Sequence, residues 1–244
     1  VAGYFMPTTG WIFLFDDKAT QEDRVFEINK QVHEGVHQLE WWFTKQRNKW
    51  GASAVGQNAI SEGIAEFLGS VEMDEYRKMK FTGVEYLRLQ TMQSKAKQFE
   101  GRQQEYRIFP LKKLVSFTTY HEAQSWGEGE WGIPRGVVMG MLYEQSWAFT
   151  YFVHSFKGGK YKDSWLAHFD SVLLRETQFG MAQQVFKRAF KIRDDDDWDD
   201  LQAEWESFVT DDLLKRDWKK YQYDPPKRET WPDDYPWPKD PLGE

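Results

Sequence analysis

The sequence predicts an α+β, mainly α fold, and three observations support this prediction. Apolar residues recur at three- and four-residue spacing along most of the chain, as they do on the buried face of a helix. Two aromatic-rich runs at the start, separated by a turn sequence, indicate a small N-terminal β-sheet. We find no internal repeat, so a repeat architecture is not expected.

The first elements follow from local patterns. GYFMPTTGWIFLF predicts two short strands around a turn at residues 8–10. A helix of about six turns should follow, with Thr20 as its N-cap. The expected apolar stripe of this helix consists of Val32, Val36, Leu39 and Phe43. A second helix is predicted from Asn58 to Val71.

The rest of the chain also predicts mostly helices. Residues 73–105 are periodic enough for a helix interrupted at Gly83, and a short helix should follow Pro110. SWGEGEWGIPRG is rich in glycine and predicts a loop. The acidic run at residues 194–200 predicts a solvated loop leading into a helix. The later predicted helices span Val137 to Phe156, Asp163 to Glu176, Met181 to Phe190, and Asp200 to Leu214.

Two regions are expected. Residues 1–222 should form one domain whose N-terminal part is incomplete, since the chain opens abruptly on VAGYFMP. Residues 223–244 should be an extended tail rich in proline and tryptophan, because six of the nine prolines lie there. The opening suggests a secreted or periplasmic protein whose leader was removed, although the sequence leaves the location open.

Composition restricts the function. The net charge of −7 argues against a nucleic-acid partner, and no apolar run is long enough to span a membrane. With no cysteine in the chain, any metal must be held by histidine, carboxylate and water.

Residues 31–42, QVHEGVHQLEWW, contain the motif H-E-x-x-H. His33 and His37 lie one helical turn apart on one face, so both imidazoles can bind one ion. Glu34 lies beside them and can act as a general base toward a water molecule. The alternative is an amphipathic helix whose two histidines bind nothing.

The next predicted helix, NAISEGIAEFLGS, supplies a third ligand. Glu62 should face the histidines when this helix folds back against the first. Glu66 lies one turn further on the same face, where it can accept the free N–H of a ligating histidine. A surface position for Glu66 is the alternative.

HEGVH followed by SEGIAEF resembles the gluzincin zinc metallopeptidases. GYFMP, HEGVHQL, SEGIAEF, PLKKLVSF and YEQSWAFTYFV, in that order, are similar to the peptidase-MA-like bacterial proteins of unassigned function. The resemblance implies a zincin-like fold that packs its small sheet on the motif helix and binds Zn²⁺. It also implies a second catalytic donor, Tyr143 in YEQSW, for which Tyr151 and His154 are alternatives.

The expected function is zinc-dependent hydrolysis of a peptide or protein substrate, with Glu34 as general base. The edge of the GWIFLF strand is a candidate site for an extended substrate. Trp41, Trp42 and Trp50 follow the ligands and can form the wall of a substrate cleft. The alternative function is a non-catalytic, zinc-stabilised binding module, directed to glycan or cell wall because the chain contains 13 tryptophans. His121 and His168 are expected to be surface or packing residues, and the oligomeric state stays open.

Overall fold

The computed structural model describes residues 3–14, 24–47, 58–73, 79–101, 106–174 and 180–221. Most of these residues are helical, and the described strands form two separate antiparallel pairs. The strands are β1 (Gly3–Met6), β2 (Trp11–Leu14), β3 (Val71–Met73) and β4 (Met79–Phe81). The α-helices are α1 (Arg24–Arg47), α2 (Asn58–Gly69), α3 (Tyr86–Gly101), α4 (Leu111–Leu114), α5 (Tyr120–Trp131), α6 (Arg135–Ser155), α7 (Lys162–Leu173), α8 (Ala182–Phe190) and α9 (Asp195–Ser207). The mainly helical prediction is therefore confirmed, whereas Thr20, Trp50 and the tail lie outside the described residues.

The predicted N-terminal hairpin is present and packs on α1. Strands β1 and β2 pair antiparallel, and Gly10 closes the turn with a φ of 75°, a conformation that glycine adopts without strain. The Gln38 side chain donates a 2.8 Å hydrogen bond to the Gly10 carbonyl. A Cβ atom at Gly10 would lie 2.8 Å from the Trp41 ring, so the turn rests directly on the motif helix.

Helix α1 buries a different face from the one expected. Val36 is buried, but Leu39 and Phe43 are 58% and 41% exposed, so the predicted apolar stripe is wrong over its second half. The buried positions there are Glu40 and Thr44, which lie one turn apart. Because α1 packs against α2 through its polar motif face, apolar spacing alone did not identify the contact surface.

A second hairpin replaces the first part of the helix predicted over residues 73–105. Strands β3 and β4 pair with Val71 opposite Phe81. The backbone N–H of Thr82 donates to the Ser70 carbonyl at 2.9 Å, and its hydroxyl donates to the same oxygen at 3.0 Å. These long-range bonds override the weak helical periodicity of the segment, and α3 begins only after Gly83.

The glycine-rich segment predicted as a loop instead lies largely within α5. A capping box between Thr119 and Glu122 starts the helix, and Gly132 ends it in the left-handed conformation. A Cβ atom at Gly127 would lie 2.6 Å from the Val138 side chain, so this glycine allows α5 to approach α6 closely. Here glycine is a requirement of helix packing and does not break the helix.

The long apolar helix α6 is confirmed and lies at the centre of the main core. It contacts α2, α3, α5 and α7, and most of its side chains are buried. Phe149 packs edge-on against Trp165 and Trp205, which joins α6 to α7 and α9.

The loop predicted for the acidic run at residues 194–200 is wrong. Asp194 caps α9, and the aspartates that follow it form the first turn of this helix. Among the described residues, no helix is long and apolar enough to cross a membrane.

Candidate metal centre

His33, His37 and Glu62 meet where α1 faces α2. The two Nε2 atoms of the histidines lie 3.2 Å apart. The Glu62 carboxylate spans both rings, with Oε2 at 3.2 Å from His33 Nε2 and Oε1 at 3.5 Å from His37 Nε2. The structure thus brings together the three side chains that the sequence proposed as ligands, in a group able to hold a metal ion.

The spacing of these atoms fits a metal ion. Ligands at about 2.0–2.1 Å from a tetrahedral ion lie roughly 3.3–3.4 Å from one another. The separation of 3.2 Å between the two histidine nitrogens is close to this value, and each ring lies 3.2 or 3.5 Å from a different oxygen of Glu62. One atom from each of the three side chains lies within 4.8 Å of the others. Glu62 Oε2 is buried, and apart from its close contact with His33 it has no polar partner among the described residues. A cation between the three side chains would compensate this oxygen.

Glu66 lies behind His33, at the position that the sequence proposed for an outer carboxylate. Its Oε1 atom is 3.5 Å from His33 Nδ1. Arg88 of α3 donates to both Glu66 oxygens, at 3.0 and 2.5 Å. Such a two-bond pair fixes the carboxylate and neutralises its charge.

His37 has two outer contacts that the sequence interpretation missed. Its Nδ1 atom lies 3.1 Å from Ser61 Oγ and 3.3 Å from Glu40 Oε2. The Ser61 hydroxyl donates a 2.5 Å hydrogen bond to the same Glu40 oxygen. A signal was available for Glu40, since it lies three residues after His37 and hence on a neighbouring part of the helix surface.

The carboxylates control the charge of the triad. Burial lowers the pKa of His33, but hydrogen bonding with Glu62 and its negative charge outweigh this effect and raise the pKa. For His37, burial is likewise outweighed, by Glu62 and Glu40, and the pKa rises well above its usual value. Burial raises the pKa of Glu62, yet His37 and His33 together hold it far below its usual range. The centre is therefore built to hold positive charge next to Glu62.

Glu34 lies on the same helix between the two histidines. It is only 8% exposed, and no described residue donates a hydrogen bond to it or forms an ion pair with it. A nearly buried carboxylate with no partner in the described part of the chain is available to a water molecule or substrate proton. This property distinguishes Glu34 from Glu40 and Glu66, which both have partners.

Tyr120 is the hydroxyl nearest to the triad, and the sequence interpretation missed it. Its hydroxyl, at the start of α5, donates to Glu62 Oε1. Tyr143 donates to the Tyr120 hydroxyl at 3.4 Å and stacks on its ring. Burial and the charge of Glu62 raise the pKa of both phenols, so both remain proton donors. Tyr143 thus lies one hydrogen bond further from the ligands than Tyr120.

The two alternatives to Tyr143 have other contacts. The Tyr151 hydroxyl accepts a 2.8 Å hydrogen bond from Arg216. His154 stacks on Phe67, and its Nδ1 atom lies 2.8 Å from the Thr150 carbonyl oxygen. Neither side chain belongs to the group of residues around Glu62.

The tryptophans proposed for a cleft wall have different environments. Trp41 lies under the hairpin turn, with Phe5 against its ring, so its described contacts are packing contacts. Trp42 is 49% exposed and packs edge-on against Phe43. Of the three, Trp42 is the described side chain that remains free to contact a ligand.

The other two histidines that the sequence singled out lie away from the triad. His121 is exposed on α5. His168 is fully buried against Trp165 and Phe186, and neither of its ring nitrogens has a described hydrogen-bond partner. Burial lowers the pKa of His168 to about 3, so the ring is neutral. The packing role considered for His168 agrees with this environment.

No family model, curated protein or solved structure matches this chain.

Proposed function

We propose that this protein is a zinc-dependent hydrolase of the gluzincin type, most simply a metallopeptidase with a zincin-like fold. The observation that carries the proposal is the triangle formed by His33, His37 and Glu62. The two imidazole nitrogens lie 3.2 Å apart, and one Glu62 oxygen lies close to each ring. Two imidazoles and one carboxylate are the ligand set of many catalytic zinc sites, in which a further position stays open for water. Zinc held there would lower the pKa of a water molecule and polarise a substrate carbonyl.

The chain's own residues have separate roles in this proposal. Glu34 accepts the proton of the attacking water and returns it to the leaving amine. Its freedom from described protein partners supports this role. The developing negative charge on the substrate oxygen needs a hydrogen-bond donor, and Tyr120 is the nearest protonated hydroxyl. Tyr143 orients Tyr120 through its own hydrogen bond.

An extended peptide or protein segment is the proposed substrate. Strand β2 pairs only with β1 among the described residues, so its other edge is available to hold an added strand. The turn of this hairpin contacts Gln38 and Trp41 of α1, so the edge belongs to a hairpin that rests on the motif helix. Exposed Trp42 offers an aromatic surface on the same helix.

A non-catalytic, zinc-stabilised binding module is the second candidate. It is favoured by one observation: the ligands come from both α1 and α2, so an ion would join the two helices even without catalysis. Retention of Glu34 favours the enzyme, because a purely structural site requires no general base.

Glu34→Gln separates the two functions. The substitution keeps the size of the side chain and all three proposed ligands, so we expect metal content and melting temperature to stay nearly unchanged. Loss of the proton acceptor should decrease the rate by about 10²- to 10⁴-fold. The measurements are metal analysis of the purified protein, and digestion of a peptide library followed by mass spectrometry of the new termini.

The control is Glu204→Gln on α9, where the carboxylate binds Lys157 and Lys160 far along the chain from the motif. This variant should cleave like the native protein. If native protein with full zinc occupancy cleaves no peptide that Glu34→Gln leaves intact, the enzyme is excluded and the binding module remains. A chain that takes up no zinc would exclude both.

A further inference from the structure

The environment of His37 includes a buried carboxylate that no role described so far requires. Glu40 is buried at the α1–α2 contact, one helical turn after His37. Its Oε2 atom accepts a hydrogen bond from the Ser61 hydroxyl and lies 3.3 Å from His37 Nδ1. Its Oε1 atom is buried with no hydrogen-bond partner among the described residues. A buried carboxylate with one unpaired oxygen is costly and calls for an explanation.

The three groups assign the proton on the His37 ring. The Ser61 hydroxyl is the donor in its short bond to Glu40, so this bond uses the single hydroxyl proton of Ser61. The Ser61 oxygen can then only accept, and its contact with His37 requires the proton to be on Nδ1. The lone pair of a neutral His37 is therefore on Nε2, which faces His33 and Glu62.

The two ligand histidines differ in how their outer carboxylates are neutralised. Glu66, behind His33, is paired with Arg88 through two hydrogen bonds. Glu40, behind His37, forms no ion pair with a lysine or arginine of the described chain. Among the described residues, positive charge that offsets Glu40 can come only from the side of His37, either from the ring itself or from a cation bound to it. The charge of Glu40 thus favours a divalent cation at Nε2.

We propose that Glu40 is a positioning residue of the metal centre. With Ser61 it holds the His37 proton on Nδ1, turns the Nε2 lone pair toward Glu62, and raises the affinity for zinc through its unneutralised charge. This inference rests on the metal binding assumed in the proposed function, but it does not depend on catalysis or on any substrate.

The test is zinc affinity, measured by competition with a chromophoric chelator on the full chain. Glu40→Gln removes the charge at constant size, and we expect zinc to bind about 10- to 100-fold more weakly. Ser61→Ala is a smaller change that keeps the Glu40 carboxylate, so it should weaken zinc binding less. It replaces Glu40→Gln as the test variant if Glu40→Gln fails to fold. Glu40→Asp keeps the charge and should recover part of the affinity. Glu204→Gln is the control and should bind zinc like the native protein.

A second measurement separates positioning from general destabilisation. The absorption spectrum of bound Co²⁺ depends on ligand geometry, so Glu40→Gln should change it, whereas a variant that is only less stable should not. The inference would be overturned if both Glu40→Gln and Ser61→Ala bound zinc within twofold of the native affinity and left the cobalt spectrum unchanged. The enzyme proposal would remain intact in that case. Native protein that binds zinc but cleaves nothing would overturn the enzyme alone. Native protein that binds no zinc would overturn both.

Discussion

The α1–α2 contact and the aromatic core around α6 both bury polar groups, but they do so in opposite ways. At the α1–α2 contact, Glu40, Glu62 and Glu66 are buried within reach of two histidines. In the core, His168 is buried among aromatic rings with no described partner for either nitrogen. Charged groups surround the histidines of the first region, whereas burial is the only influence on the pKa of His168 in the second.

The difference shows in the two buried histidine environments. The carboxylates around His37 raise its pKa well above the usual value despite burial. Burial alone acts on His168 and lowers its pKa to about 3. The same side chain therefore favours positive charge in one region and neutrality in the other, because neighbouring charges, and not burial as such, decide the sign. The site proposed for a cation is thus a site where the neighbouring carboxylates favour positive charge.

The largest expected effect concerns the proposed metal centre. With free zinc at about 1,000 times the dissociation constant, binding to the folded state alone should stabilise it by roughly 4 kcal/mol. A chelator should remove this stabilisation, and the shift in melting temperature measures it. His37→Ala should melt at the same temperature with zinc or chelator, since it lacks a ligand. A chelator shift that persists in His37→Ala would show that zinc binds elsewhere.

A smaller effect is expected where the two regions meet. A Cβ atom at Gly63, next to Glu62, would lie 2.4 Å from the Ser146 carbonyl oxygen of α6. Gly63→Ala must therefore push α2 away from α6, and overpacking of this kind costs about 1–3 kcal/mol. Because the shift also moves Glu62, zinc affinity should fall together with the free energy of unfolding.

Gly35→Ala on α1 is the matched control, because no atom lies near the added methyl group. We expect it to keep the native zinc affinity. Chemical denaturation and chelator competition on the same samples measure both quantities. Gly63→Ala with lower stability but native zinc affinity would show that the centre does not depend on the α2–α6 contact.

The effect that is smallest at neutral pH belongs to the aromatic core, because it grows only as the pH decreases. In the unfolded chain His168 binds a proton near pH 6.5, whereas in the folded protein it does so only near pH 3. The unfolded state thus binds more protons between these values, and stability falls as pH decreases below about 6.5. The slope from this residue is about 1.4 kcal/mol per pH unit.

His168→Phe keeps an aromatic ring at this site and removes the titration. The free energy of unfolding of the native protein should therefore decrease steadily relative to that of His168→Phe between pH 6.5 and pH 4.5. The variant gains relative stability as the pH falls. Urea denaturation of both proteins at each pH, with chelator present, gives the difference between their free energies of unfolding. A constant difference across the range would show that His168 has a partner in the folded state.

Local sequence signals predicted the elements whose patterns are strong within a short window. The N-terminal hairpin, α2 and α6 lie close to their predicted positions because strand alternation, turn glycines and long apolar runs act over neighbouring residues. The loop prediction for the α5 region is wrong, because a glycine-rich composition does not distinguish a loop from a helix whose glycine allows close packing. The role of Gly127 depends on Val138, which no local pattern connects to it.

The sequence by itself determined that His33 and His37 share one helical face with Glu34 between them, because the helical repeat fixes that geometry without tertiary contacts. Only the tertiary structure decided which groups surround them. Tyr120 reaches Glu62 from another helix, and Glu40 and Ser61 meet at His37 only when α1 packs on α2. Such contacts depend on how elements that are distant in sequence are placed relative to one another. The residue spacing within one helix carries no information about that placement.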